Sequence, residues 1–225
     1  METKYRKVTF EEIRKNEEIR AYISMGNDCL GAIGYTEHGF AHAKRSSNYA
    51  SGILQQLGYD DRTCELAAIA GYMHDIGNVI NRVGHAQSGA AMAFTLLNKL
   101  EMDPKEIGLI VSAIGNHDES AAAPVNPIAA ALILSDKGDV RRTRVRNIET
   151  VGTDIHDRVN YAVEHASNEI DLENRTIMLK ITIDTSICPV MEYFEIFLDR
   201  MVLCRKAAAY LELSFELLIN DVRLL

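Results

Sequence analysis

The sequence predicts a mainly α-helical chain, a helical bundle followed by a small C-terminal α+β unit with ββαβ order. Three observations carry this. Up to about residue 140, apolar residues recur at spacings of three and four. Capping residues and glycine stops punctuate the same stretch. After about residue 155, apolar and polar residues alternate instead.

Thr9 followed by Glu12 forms a capping box, and it opens a charged amphipathic helix expected to run to about Ile23, where "GNDCLGAIG" ends it. A second helix is expected from Gly39 to Leu57, with Ala43, Ser47, Ala50, Ile53, Leu54 and Leu57 on one face and Gly58 as its stop. Asp60 or Asp61 caps a third, whose run of Leu66, Ala67, Ile69, Ala70, Tyr72 and Met73 implies burial on most sides. A fourth spans roughly His85 to Leu100. Asp103, Pro104 and Glu106 supply cap, first-turn proline and box partner for a fifth, and Asn126 with Pro127 repeats the signal before "IAAALILSD". No repeat at a fixed period appears, so a solenoid is not expected.

Beyond these helices, two β-prone runs flank the turn-rich "DLENRT", and Ile177, Leu179, Ile181 and Ile183 alternate with Met178, Lys180 and Thr182 as in a hairpin strand. Residues 189 to 212 return to helical spacing, and "SFELLIND" reads as a third strand. The expected division is residues 1–150 as the helical domain and 151–225 as the accessory unit.

Composition excludes several classes of function. With 47% apolar and 25% charged residues, the chain has enough core-forming material to fold and shows no bias toward disorder. No apolar stretch reaches the length of a membrane span, and the charged N-terminus "METKYRKVTF" does not read as a signal peptide, so a cytoplasmic location is expected. Cys29, Cys64, Cys188 and Cys204 are widely spread without a CxxC pair, as reduced thiols would be. A net charge of −8 argues against a grip on duplex nucleic acid. The exception is local: "DKGDVRRTRVR" concentrates Lys137, Arg141, Arg142, Arg144 and Arg146.

The chemistry lies in the histidines and aspartates. His38, His42, His74, His85 and His117 fall on or near several of the expected helices, and Asp75 and Asp136 accompany them. Mixed imidazole and carboxylate donors suit divalent transition metals such as Mn, Fe, Ni, Co or Zn, with Mg possible. Side chains projecting inward from several helices of an all-α domain can converge on one buried point. Adjacent helical residues point about 100° apart, so His74 and Asp75 can share an ion only beside a helix end, near Gly77. A carboxylate has two oxygens, and Asp75 could therefore bridge a pair of ions.

The ordered set His42 in "HAKRS", His74-Asp75 in "YMHDIGN" and Asp136 in "LILSDKGD" resembles the HD superfamily of metal-dependent phosphohydrolases. The resemblance implies that His42, His74, Asp75 and Asp136 hold a first metal, with His74 and Asp75 also the catalytic pair. "GHAQSGA" with His85 and "AIGNHDE" with His117 are similar to the additional histidines of two-metal members. Asn78 stands where relatives often carry lysine, Asn116-His117 stands where cyclic dinucleotide phosphodiesterases often show His-His, and their Gly-Tyr-Pro element is absent.

Arg45, one turn after His42, together with Lys137, Arg141, Arg144 and His38, is expected to contact substrate, because guanidinium forks match phosphate oxygens. Asp118 and Glu119 are expected as surface acids or water-orienting groups, and His156 and His165 as structural or exposed residues of the strand-rich part. The function that follows is hydrolysis of a phosphomonoester or phosphodiester, a nucleotide being the expected small phosphorylated substrate. The rival is an HD-type sensor without turnover, whose C-terminal unit mediates partner binding or a homodimer.

Overall fold

Capping chemistry sets most element boundaries in the computed structural model, which describes residues 5–119 and 122–224; the first four residues of the charged N-terminal stretch lie outside them. The capping box at Thr9 is present and opens α1 (Phe10–Lys15). This helix is shorter than its amphipathic pattern suggests. Asn16 leaves helical geometry at ψ 118°, and its side chain accepts from the N–H groups of Glu18 and Ile19 to start a separate helix, α2 (Glu17–Ala32). "GNDCLGAIG" does not end α2 but lies largely inside it. The reason is tertiary: Gly26 faces the backbone of the turn after the third expected helix, and a Cβ there would stand 3.2 Å from Val79 N. A close packing contact thus outweighs the helix-breaking tendency of glycine.

The next five helices follow the sequence signals within a residue or two. They are α3 (Phe40–Gln56), α4 (Asp61–Met73), α5 (His85–Lys99), α6 (Pro104–Gly115) and α7 (Pro127–Lys137). Asp60 caps α4, Asp103 caps α6 and Asn126 caps α7, each accepting from a backbone N–H of the first turn. In α7 every residue from Ile128 to Lys137 is buried. It is the axis of the fold, with α3, α4, α6 and a later helix packed around it.

In the C-terminal part, the start of the first β-prone run is helical. Asp154 accepts from Asp157 N and opens α8 (Ile155–Ala162), so His156 lies exposed on a helix instead of a strand, while His165 is exposed on the strand that follows. That strand, β1 (Val163–Asp171), pairs antiparallel with β2 (Thr176–Ile183). The crossover helix α9 (Val190–Tyr210) then returns the chain to β3 (Ser214–Ile219), parallel to β2, and a two-residue strand β4 (Val222–Arg223) closes the sheet in the order β1-β2-β3-β4. The ββαβ order is present with one short strand added. Ile177, Leu179, Ile181 and Ile183 are all buried on one face of β2.

One continuous cluster of buried apolar residues runs from Val8 through α7 to Phe197, Met201 and Ile219. The C-terminal part is therefore joined to the helices through a shared core, with α9 lying along α7. No helix among the described residues is long and apolar enough to cross a membrane.

Candidate metal centre

The "YMHDIGN" stretch marks the point where α4 stops. His74, which caps the end of α4, still has helical angles, and Asp75 (φ −96°, ψ 3°) turns the chain into a 3₁₀ turn over Ile76–Val79. This change of direction lets neighbouring side chains face one space, with His74 Nε2 3.3 Å from Asp75 Oδ2. Gly77 makes the turn possible. A Cβ there would lie 2.0 Å from the His85 carbonyl oxygen, so the turn can lie against the start of α5 only with glycine at this position.

Six of the residues named from the sequence meet here. His42 comes from α3, His74 and Asp75 from the end of α4, His85 from the first residue of α5, His117 from just beyond α6, and Asp136 from the last turn of α7. His42 Nε2 lies 3.1 Å from His74 Nε2, 3.2 Å from Asp136 Oδ1 and 3.5 Å from Asp75 Oδ2. On the other side of Asp75, His85 Nε2 is 3.2 Å from His117 Nε2 and 3.4 Å from Asp75 Oδ1. One donor atom each from His42, His74 and Asp136, and likewise from His74, Asp75 and His117, falls within 4.8 Å of the others.

The proton positions argue for a cation. His42 Nδ1 donates to Asp139 Oδ2 (2.7 Å), His74 Nδ1 to Gly71 O (2.8 Å), His85 Nδ1 to Arg82 O (2.9 Å) and His117 Nδ1 to Ile114 O (2.6 Å). Each ring thus spends its Nδ1 proton on an outer acceptor and turns its Nε2 lone pair inward, the arrangement that metal-binding imidazoles adopt. Two donors about 2.1 Å from one ion and at right angles to each other stand about 3 Å apart, close to the observed nitrogen spacings. Asp75 Oδ2, moreover, is buried and accepts no hydrogen bond. An ionised oxygen left so is costly unless a cation faces it.

The electrostatics agree. Burial opposes ionisation of Asp75 and Asp136, but His74 beside the first and Lys137 beside the second hold both carboxyls well below their ordinary range. Burial would depress His74, yet Asp75 and Asp136 push it up to about 10. Without metal, a proton on His74 thus balances the cluster, and a divalent cation would displace it. Burial holds His38, His85 and His117 below the ordinary imidazole value, which leaves them neutral. The donor set therefore fits one or two divalent transition metals.

The cations divide into two groups. Lys137 is buried, 2.8 Å from Asp136 and 3.0 Å from Glu119, and it faces a small chamber together with His38, Asp75, His85, Asp136 and Arg144. Three of the residues expected at the substrate, Arg144, His38 and Lys137, thus line this chamber. Arg45 and Arg141 turn elsewhere. Arg45 Nε and Arg141 Nε lie 3.0 and 2.7 Å from Asp139 Oδ1, on the Nδ1 side of His42, away from the inward-facing nitrogen. Arg45 also donates to Ala166 O and stacks over Tyr49. A buried carboxylate nearer than the cluster captures both side chains.

Sequence reasoning missed Asp139, Arg82 and Arg200. Asp139, three positions after Asp136, is 1% exposed and orients His42. Arg82 lies 3.9 Å from Asp75 Oδ1 and donates to Asn78 Oδ1, and so supplies a cation one turn after the position where relatives carry lysine. Asn78 itself donates to Asp75 Oδ1 (2.9 Å). Glu119, expected at the surface, is mostly buried between Lys137 and Arg200, 2.5 Å from Arg200 Nε. The i+4 spacing of Arg82 from Asn78 was a usable signal; the position of Arg200, on α9, had none.

A family model described as "HD domain" matches residues 39–179 of this chain. An uncharacterized protein of Methanocaldococcus jannaschii, MJ1020, is 25% identical over 162 residues, an alignment that covers 62% of each chain. The chain thus aligns with less than two thirds of that relative's length. With the match extending over more than half of the sequence and the His/Asp cluster gathered at its centre, the chain belongs to the HD-domain family, whose members are typically metal-dependent phosphohydrolases and bind divalent metals.

Proposed function

We propose that the protein hydrolyses a phosphomonoester or phosphodiester, with a nucleotide as the working substrate, at a centre held by His42, His74, Asp75, His85, His117 and Asp136. The observation that carries this reading is Asp75. Its Oδ2 faces the His42–His74 pair, its Oδ1 faces His85, and the four imidazoles of the cluster use Nδ1 on outer acceptors and turn Nε2 inward. When bound there, divalent metal supplies a water acidified toward neutral pH and neutralises charge on the phosphoryl group.

The chain's own residues do the remaining work. His42 and His74 with Asp136 fix one side of Asp75, and His85 with His117 fixes the other. Asn78 holds Asp75 Oδ1 in place. Arg82, Arg144 and Lys137 bring positive charge to the chamber wall, where phosphoryl oxygens would be oriented for attack. His38 donates its Nδ1 proton to Thr36 O, which leaves Nε2 free to accept a hydrogen bond from a substrate hydroxyl or a water. We also infer that residues 151–225 complete the site and are more than an appended dimerisation unit, because Arg200 of α9 lines the same chamber.

Metal analysis of the purified chain, followed by release of p-nitrophenol from p-nitrophenyl phosphate and its bis-ester with added Mn, Co, Ni or Mg, tests the proposal. Turnover and bound metal should vanish together in Asp75→Ala while helical circular dichroism persists. Full metal content without turnover on any ester would favour a sensor. An Asp75→Ala chain that keeps both would overturn the assignment.

A further inference from the structure

A cavity of about 510 Å³ shares His38, Arg82, Arg144 and Arg200 with the small chamber beside Asp75 and Asp136. Part of its wall is built by α8 and by α9, the latter beyond the residues that the family model matches. Each of the three guanidinium groups already has a carboxylate nearby, Asp75 for Arg82, Asp139 for Arg144 and Glu119 for Arg200, yet all three line the cavity, and their planar forks suit phosphate oxygens.

The α8 residues are of another kind. Asn160 is 5% exposed, and its Nδ2 donates to His156 O, while no donor among the described residues reaches its Oδ1. Asp157, 6% exposed, has one oxygen occupied by the Thr150 hydroxyl. Asn160 lines the cavity, and its amide oxygen is available there to accept from a ligand that brings a donor. The aromatic groups are less available than their number suggests. Arg200 covers Phe197 at 4.3 Å, and Arg82 lies over Tyr35 at 5.8 Å, so a guanidinium already occupies a face of each ring.

We propose that this cavity selects a phosphorylated polyol, an ester whose alcohol carries vicinal hydroxyls, with phosphate on Arg82, Arg144 and Arg200 and hydroxyls on Asp157 and Asn160. The inference rests on the reading of the cluster as a phosphate-ester centre, and it makes Arg200 and Asn160 specificity-determining residues contributed by the C-terminal segment. A pentose phosphate fits both the chemistry and the volume.

Calorimetric titration of the full chain, with and without Mn, against ribose 5-phosphate, inorganic phosphate and ribose tests this without turnover. Ribose 5-phosphate should bind about ten-fold tighter than inorganic phosphate. Asn160→Ala should remove that advantage and leave phosphate affinity unchanged; Asp157→Asn should reduce it, and this second variant covers the case in which Asn160→Ala fails to fold. Arg200→Gln should weaken both anions about ten-fold at unchanged metal content. Equal binding of the two anions by the native chain, or an advantage that survives in both α8 variants, would overturn the inference. Binding as described with no ester cleaved would sink the hydrolase reading alone. Cleavage of p-nitrophenyl phosphate with no preference for the sugar phosphate would sink this inference alone.

Discussion

Replacing Asp139 should cost metal affinity although the residue faces away from the cluster. Its carboxylate accepts from His42 Nδ1 at 2.7 Å through Oδ2 and from Arg141 Nε at 2.7 Å through Oδ1, and Arg45 Nε lies 3.0 Å from Oδ1 as an ion-pair partner. Every donor around it is an N–H, so both oxygens must accept. Asp139→Ala leaves the His42 ring free to rotate and to carry its proton on either nitrogen. Loss of such an outer partner weakens metal binding by about 10- to 100-fold, or roughly 1.4–2.7 kcal/mol.

Asp139→Asn should be at least as harmful despite its matching shape. If the amide oxygen faces His42, the NH₂ group meets the two arginine donors; if it is turned round, the NH₂ group meets Nδ1 and drives the imidazole proton to Nε2, where the metal lone pair must be. Competition of Mn or Zn against a chelator measures the affinities, and ¹⁵N spectra of the imidazole rings report which nitrogen of His42 carries the proton. Native affinity in Asp139→Asn, with the Nδ1 proton retained, would refute the argument.

Two further changes test how the fold holds the site. Gly77→Ala places a methyl group 2.0 Å from His85 O and 2.5 Å from Gly89 N, which should force α5 outward, lower stability by about 1–3 kcal/mol and lower the melting temperature by roughly 5–10 °C; an unshifted thermal transition would contradict the close packing described. Glu65 accepts from Phe10 N and Arg62, and although burial opposes its ionisation, these partners hold its carboxyl below the ordinary range. A depressed carboxylate contributes stability above its unfolded value of about 4.3, and that stability is lost as pH falls through the lower folded value. Amide exchange in α1 should therefore accelerate on acidification in that window. In Glu65→Gln it should already be faster at pH 7 and change less with acid, and protection equal to the native chain at pH 7 would count against the link.

What the sequence determined by itself is local chemistry. Thr9, Asp60, Asp103 and Asn126 announced helix starts because a cap satisfies N–H groups within one turn, and no distant residue can alter that need. The ordered histidines and aspartates likewise exposed a ligand set, since few other roles require those donors together. Tertiary structure decided the rest. Arg45 and Arg141 turned to Asp139, which is buried nearer to them than the cluster, because a long flexible cation follows the closest desolvated carboxylate and no spacing rule records where that lies. Two glycines were absorbed into α2 because Gly26 meets the 3₁₀ turn of a segment some fifty residues away. The wall proposed to read the substrate comes from α8 and α9, and only the packing of α9 along α7 brings Arg200 within reach of residues that precede it by over sixty positions.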